Sequence, residues 1–291
     1  MLPHVLRFSL GLAFLGCAAS WSAAQNASAP RIEFPAASPL STLHQRVGLT
    51  DFEVVYSRPS VKGRRIFGAL EPYGAVWRTG ANAATTLSFN TPVTIEGVNV
   101  PAGKYSLFTI PDRDEWIVIL NKESDQWGAY RYDRNQDAAR VKVKPAALAE
   151  PVETLTITFG DIRDESAVLS IAWENVRVSA HIRVDVEGKL LPQIEAVMAS
   201  PEKKLPGVYF NSALFYFDHG QDLTKALTWV NEAIALNPKA FYAVHLKAKI
   251  LARLDRKEEA IAAAKESIEL ATAARDQGYV KLNEDLIGSL Q

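Results

Sequence analysis

Five cations stand within 21 residues of this chain: Arg58, Lys62, Arg64, Arg65 and Arg78. Glu71 is the sole acid in that window, and Tyr56, Phe67, Tyr73 and Trp77 interleave with the cations. Further along, Asn82, Asn121 and Lys122 add donors, and Trp127 adds another aromatic plane. An Arg fork pairs two oxygens of a carboxylate or phosphate, whereas Lys offers a point charge. A ring beside a cation adds a flat, electron-rich wall. This chemistry suits a small anionic or glycan ligand. The candidate binding residues are Arg58, Lys62, Arg64, Trp77, Arg78, Asn82, Lys122 and Trp127. The same pattern also arises when a solvated basic loop lays its Arg stems on aromatic faces. Both readings stay open on sequence alone.

Signatures of catalysis are sparse. The five histidines are His4, His44, His181, His219 and His245. No His-Glu-x-x-His occurs, so a zincin-type site is not expected. There is neither a Gly-x-Ser-x-Gly elbow nor a Gly-rich phosphate loop ending in Lys-Ser/Thr. Asp112, Asp114 and Glu115 cluster at a hairpin tip, where charged side chains are usually solvated. No metal, cofactor or catalytic residue is expected, and the balance favours binding over catalysis. The alternatives are a hydrolase of envelope or extracellular substrates built on Arg58, Arg78, Asn82 and Lys122, and a purely structural envelope component.

Two kinds of element must position these residues. From 43 to 186 the chain alternates. Leu155, Ile157 and Phe159 interleave with threonines, and Ala167, Leu169, Ile171 and Trp173 repeat the pattern. Val176, Val178, Ala180, Ile182 and Val184 alternate with polar residues. A period of two puts one set on a core face. Tyr105–Ile110 and Trp116–Asn121 flank Pro111-Asp112-Arg113-Asp114, a hairpin signal. Many short strands without helical patterns between them predict an antiparallel β-sandwich or barrel-like domain over 42–187.

After 188 the period becomes helical. Taking Gly207 as position 1 of a 34-residue repeat puts Ala213, Leu214 and Phe217 at positions 7, 8 and 11. Ala226, Val230 and Ala233 fall at 20, 24 and 27. A second copy from Phe241 puts Ala248, Leu251, Ala260, Ala264 and Ser267 on matching positions, while Lys247 and Thr272 depart from the pattern. This spacing resembles tetratricopeptide repeats over about 207–274. The resemblance implies an all-α domain over 188–291 with a protein or peptide partner. Asp222 is a suitable cap for one helix, and Pro238 suits the first turn of the next. A last helix is expected over about Gly278–Leu290. The overall class is α+β, with two domains.

The N-terminus reads as an export signal. Arg7 precedes an uncharged apolar run from Phe8 to Ala19, and Ser22 and Ala24 suit a cut before Gln25. The expected layout is a signal peptide over 1–24 and a flexible leader over 25–41. Phe14-Leu15-Gly16-Cys17 also resembles a lipoprotein box, leaving a lipid anchor at Cys17 as the alternative. The expected address is periplasmic or extracellular, or outer-membrane-associated if lipidated. The formal net charge of -1, from 32 Lys+Arg and 33 Asp+Glu, gives no reason to expect nucleic acid. One cysteine excludes an internal disulfide framework.

The polar motifs stand in a recognisable order. They begin with Tyr56-Ser57-Arg58-Pro59-Ser60 and Val76-Trp77-Arg78-Thr79-Gly80-Ala81-Asn82. Pro101-Ala102-Gly103-Lys104-Tyr105, Asn121-Lys122 and Gln126-Trp127-Gly128 follow. Over about 36–185 the sequence resembles the bacterial family known as domain of unknown function 2911. That resemblance implies an exported protein, often with a helical tail, and implies no reaction.

Overall fold

The computed structural model describes residues 32–291; the expected signal, its cleavage site and Cys17 lie outside the described residues. Residues 32–37 belong to a separate unit and carry no strand or helix. In the unit from Ser38 onward, ten strands precede six helices.

The strands are β1 (Leu40–Val47), β2 (Thr50–Ser57), β3 (Ala81–Phe89), β4 (Val93–Ile95) and β5 (Val98–Val100). They continue with β6 (Gly103–Ile110), β7 (Trp116–Asn121), β8 (Asp137–Val143), β9 (Ala146–Gly160) and β10 (Ser166–Val184). All pair antiparallel, in one sheet of order β1-β2-β3-β6-β7-β8 and another of order β5-β4-β10-β9. The expected hairpin is β6–β7, paired from Ser106↔Asn121 to Ile110↔Ile117. Val54, Leu87 and Leu107 of the first sheet share one apolar core with Leu155, Ile171 and Ile182 of the second. Each such side chain stabilises by roughly 1.5–3 kcal/mol on burial. This mutual cover makes two sheets the stable arrangement.

Two of the expected strands are one. Ala167 to Trp173 and Val176 to Val184 both belong to β10, which shifts register on either side of Glu174. Glu174 adopts φ +54. An extra residue at a bulge moves the inward set from odd to even positions. That is why the inward residues read 167, 169, 171 and 173 and then 178, 180, 182 and 184.

The helices are α1 (Glu187–Ala199), α2 (Pro206–Asp218), α3 (Leu223–Leu236), α4 (Phe241–Arg253), α5 (Lys257–Ala273) and α6 (Gln277–Leu290). Asp222 caps α3 as expected, its side chain accepting from Thr224 and Lys225 N–H. Pro238 differs from expectation. It lies in the turn before α4, which starts at Phe241, instead of in that helix's first turn. The repeat register shows in the packing. Ala213, Ala226, Val230, Ala233, Ala248, Leu251, Ala260 and Ala264 are all buried, so each helix pair closes tightly over small side chains. Ser267, the polar residue in this row, donates to the Phe241 carbonyl (2.8 Å) and accepts from Asn283 Nδ2 (2.9 Å). Leu190 of α1 and Phe215 of α2 pack against the β core.

Candidate functional site

The basic loop leaves β2 and runs along β9. Ser60 pairs with Thr154, Leu155 N–H donates to the Pro59 carbonyl (2.9 Å), and Val61 N–H donates to that of Glu153 (2.7 Å). This extension carries β2, the second strand of its sheet, to β9, the edge strand of the other. Its cations follow the backbone. Arg58 Nε donates to the Leu155 carbonyl (2.9 Å), and its Nη2 donates to Thr156 Oγ1 (2.9 Å). Arg64 donates to the carbonyls of Val61 (3.0 Å) and Ser60 (2.6 Å). Lys62 has φ +49, and its N–H donates to the Glu153 carboxylate (2.9 Å). The carboxylate of Glu174, at the β10 bulge, accepts from Ile66 N–H (3.2 Å) and so holds the same loop.

Trp77 is not the open wall that the sequence reading expects. It is 2% exposed, lies parallel to Trp173 at 5.7 Å, and meets Phe67 edge-on at 5.8 Å. Its indole N–H donates to the Gly80 carbonyl (3.2 Å). Backbone bonds to Thr109 of β6 (2.7 and 2.9 Å) fix it in the core. Arg78, next in sequence, has a buried Nε without a hydrogen-bond partner among the described residues. Its charge acts on Glu71. Burial nevertheless dominates there and pushes the Glu71 carboxyl up to about 7.

Asn82 and Trp127 do come together. Ala83 pairs with Trp127, and Gly128 N–H donates to the Asn82 carbonyl (3.1 Å). Asn82 Nδ2 also reaches Ser57 Oγ (3.3 Å). Gly128 has φ +69, and a Cβ there would lie 2.7 Å from the Tyr130 ring, so this turn demands glycine. Lys122 opens the same loop, exposed, with its N–H on the Gln136 carbonyl (2.9 Å). Trp127 is 65% exposed and Tyr130 is 85% exposed.

A polar network ties down the loop that carries these aromatics. Asn121 Nδ2 donates to the Asp133 carbonyl and to Asp137 Oδ1 (both 2.9 Å), and Gln126 Nε2 donates to the Glu123 carbonyl (2.8 Å). Tyr132 donates to Asp137 Oδ2 (2.7 Å), and Arg140 donates to Tyr132 Oη (2.6 Å) and to Asp137 Oδ2 (3.2 Å). Burial, reinforced by the bond to Asp137, pushes the Tyr132 hydroxyl up to about 12, so it stays a donor. Sequence reasoning missed Tyr130 of this exposed pair of aromatics and the Tyr132, Asp137 and Arg140 bonds that hold the loop. The Gln126-Trp127-Gly128 motif was the available signal.

Residues 38–182 match the family described as protein of unknown function (DUF2911). The β-rich half of this chain is a DUF2911 domain. The resemblance seen in the sequence is therefore borne out. The helical half of the chain follows this DUF2911 domain. Among solved structures, the tetratricopeptide repeat domain protein from Salinibacter ruber is 22% identical. It covers 29% of this chain and 94% of that chain, at a TM-score of 0.28. The helix pairs described above rest on their own packing. No curated protein matches the chain. No described helix is long and apolar enough to cross a membrane.

Proposed function

We propose that this chain is an exported, two-domain binding protein. Its DUF2911 domain takes an anionic glycan on the Trp127 loop, and its helical repeats hold a protein partner. The observation that carries the reading is that Trp127 and Tyr130 are both strongly exposed on one loop that hydrogen bonds tie down from within. Rigid aromatic anchors give contact area at little entropic cost, and an indole face suits a sugar ring. Asn82 can donate to and accept from a hydroxyl. Lys122 supplies the charge for a carboxylate.

The test is titration with acidic oligosaccharides such as oligogalacturonates, followed by tryptophan emission. Binding should quench the exposed indole, and Trp127→Ala should abolish the response while leaving the melting temperature near wild type. An unchanged affinity in Trp127→Ala and Tyr130→Ala would remove this surface from the ligand's path. Export is tested separately, because the processed N-terminus should be Gln25 or a residue within a few positions of it. A lipid-modified Cys17 would establish the anchored form instead.

A further inference from the structure

We infer a divalent metal site where the strands hand over to the helices, made by Glu165, Glu187 and His219. These residues are 22 and 32 positions apart, come from three elements, and form no sequence motif. Glu165 ends the β9–β10 loop, Glu187 opens α1, and His219 closes α2. One potential ligand atom from each lies within 4.8 Å of the other two. Ligands on a tetrahedral zinc ion, at about 2.0–2.1 Å from the metal, stand roughly 3.3 Å apart. Small side-chain rotations cover that difference.

The positions are held by bonds that need no metal. Glu187 N–H donates to Glu165 Oε1 (3.1 Å), and Val184 N–H donates to the Glu165 carbonyl (2.9 Å). Gln221 Nε2 donates to Glu187 Oε1 (2.5 Å). Each carboxylate therefore has one oxygen oriented by a neighbour, which is how supporting bonds aim metal ligands. The His219 ring stacks on Phe215 at 4.0 Å, which fixes its plane. Gly48, in the β1–β2 turn, permits the close seating: a Cβ there would lie 2.4 Å from the Asp164 carbonyl and from Val186.

Electrostatics asks for a cation. Glu165 and Glu187 place like charges together, and neither makes an ion pair among the described residues. The imidazole chooses the class. Calcium and magnesium favour all-oxygen sites, whereas an imidazole beside two carboxylates suits zinc. Glu165 and Glu187 also line an open cleft of ≈ 610 Å³, so water could complete the coordination. A metal held there would tie α2 to the sheet.

The experiment is calorimetric titration of the metal-free full chain with ZnCl2, alongside MgCl2. One zinc ion per chain should bind and raise the melting temperature, and magnesium should do neither. His219→Gln and Glu187→Gln should each weaken zinc binding at least about tenfold. His44→Gln, which alters an exposed histidine 3.6 Å from Glu53, should leave it unchanged. Melting curves in chelator establish that the variants fold, and Glu165→Gln substitutes for any that does not. Absence of zinc binding at millimolar metal, or binding by His219→Gln and Glu165→Gln equal to wild type, would overturn the assignment.

Discussion

Replacing Glu71 with Gln should make the protein more stable at alkaline pH and leave it almost unchanged at acid pH. Glu71 is partly buried in the basic loop, and burial lifts its carboxyl from 4.5 to about 7 despite the opposing pull of Arg78. The folded state therefore keeps a proton that the unfolded chain has already released. The stability this confers is fully present below the unfolded value of 4.5 and is lost as pH rises through about 7. At about 1.36 kcal/mol per pH unit, the displacement is worth about 3.4 kcal/mol for a fully desolvated group. Part of this side chain keeps its water, and screening reduces the figure to ~1–2 kcal/mol. For a chain of this size that is roughly 2–8 °C in melting temperature. Melting curves of wild type and Glu71→Gln should be collected from pH 4.5 to 8.5. The difference between them should start near zero and open in the variant's favour as pH rises. Subtracting the curves cancels the other titrating groups. A flat difference, or a wild type that gains on the variant above pH 7, would mean that Arg78 outweighs burial.

Arg58→Ala should lower stability by about 1.5–3 kcal/mol, because it removes a charged donor from the Leu155 carbonyl and from Thr156. Thermal melts decide this, and an unchanged melting temperature would return Arg58 to the list of free ligand anchors. Ala226→Leu and Ala260→Leu should each cost ~1–3 kcal/mol by overpacking the helix pairs. Neutral melts at both positions would refute the repeat register.

The sequence announced its architecture where a periodicity was involved. The change from odd to even inward positions after Trp173 encodes the β10 bulge, although it reads at first as two strands. The small residues at Ala226 and Ala260 revealed the repeat because close helix packing admits little else there. Side-chain direction in the irregular segments was not legible. Trp77 lies outside any alternating run, so nothing in its neighbours separates an open indole from one stacked on Trp173. The network under Trp127 joins Asn121 to Asp137, and the Glu165–Glu187–His219 group joins two elements to a third. Such groups depend on how elements meet, which has no period.

The two arginines at 58 and 64 hold the loop that bridges the two sheets. Where β2's extension meets β9, Arg58 gives the Leu155 carbonyl and Thr156 donors beyond the regular ladder, and Arg64 closes on the Ser60 and Val61 carbonyls of the loop itself. An Arg is well suited because one guanidinium satisfies two acceptors at once. Fixing charge at the seam separates the two roles that the sequence had merged. Arg58 and Arg64 serve the fold, whereas on the proposed reading recognition falls to Trp127, Tyr130, Asn82 and Lys122. On that reading the Asn121–Asp137–Tyr132 hydrogen bonds hold the loop that carries Trp127, so a ligand there would meet a backbone whose course has already been set.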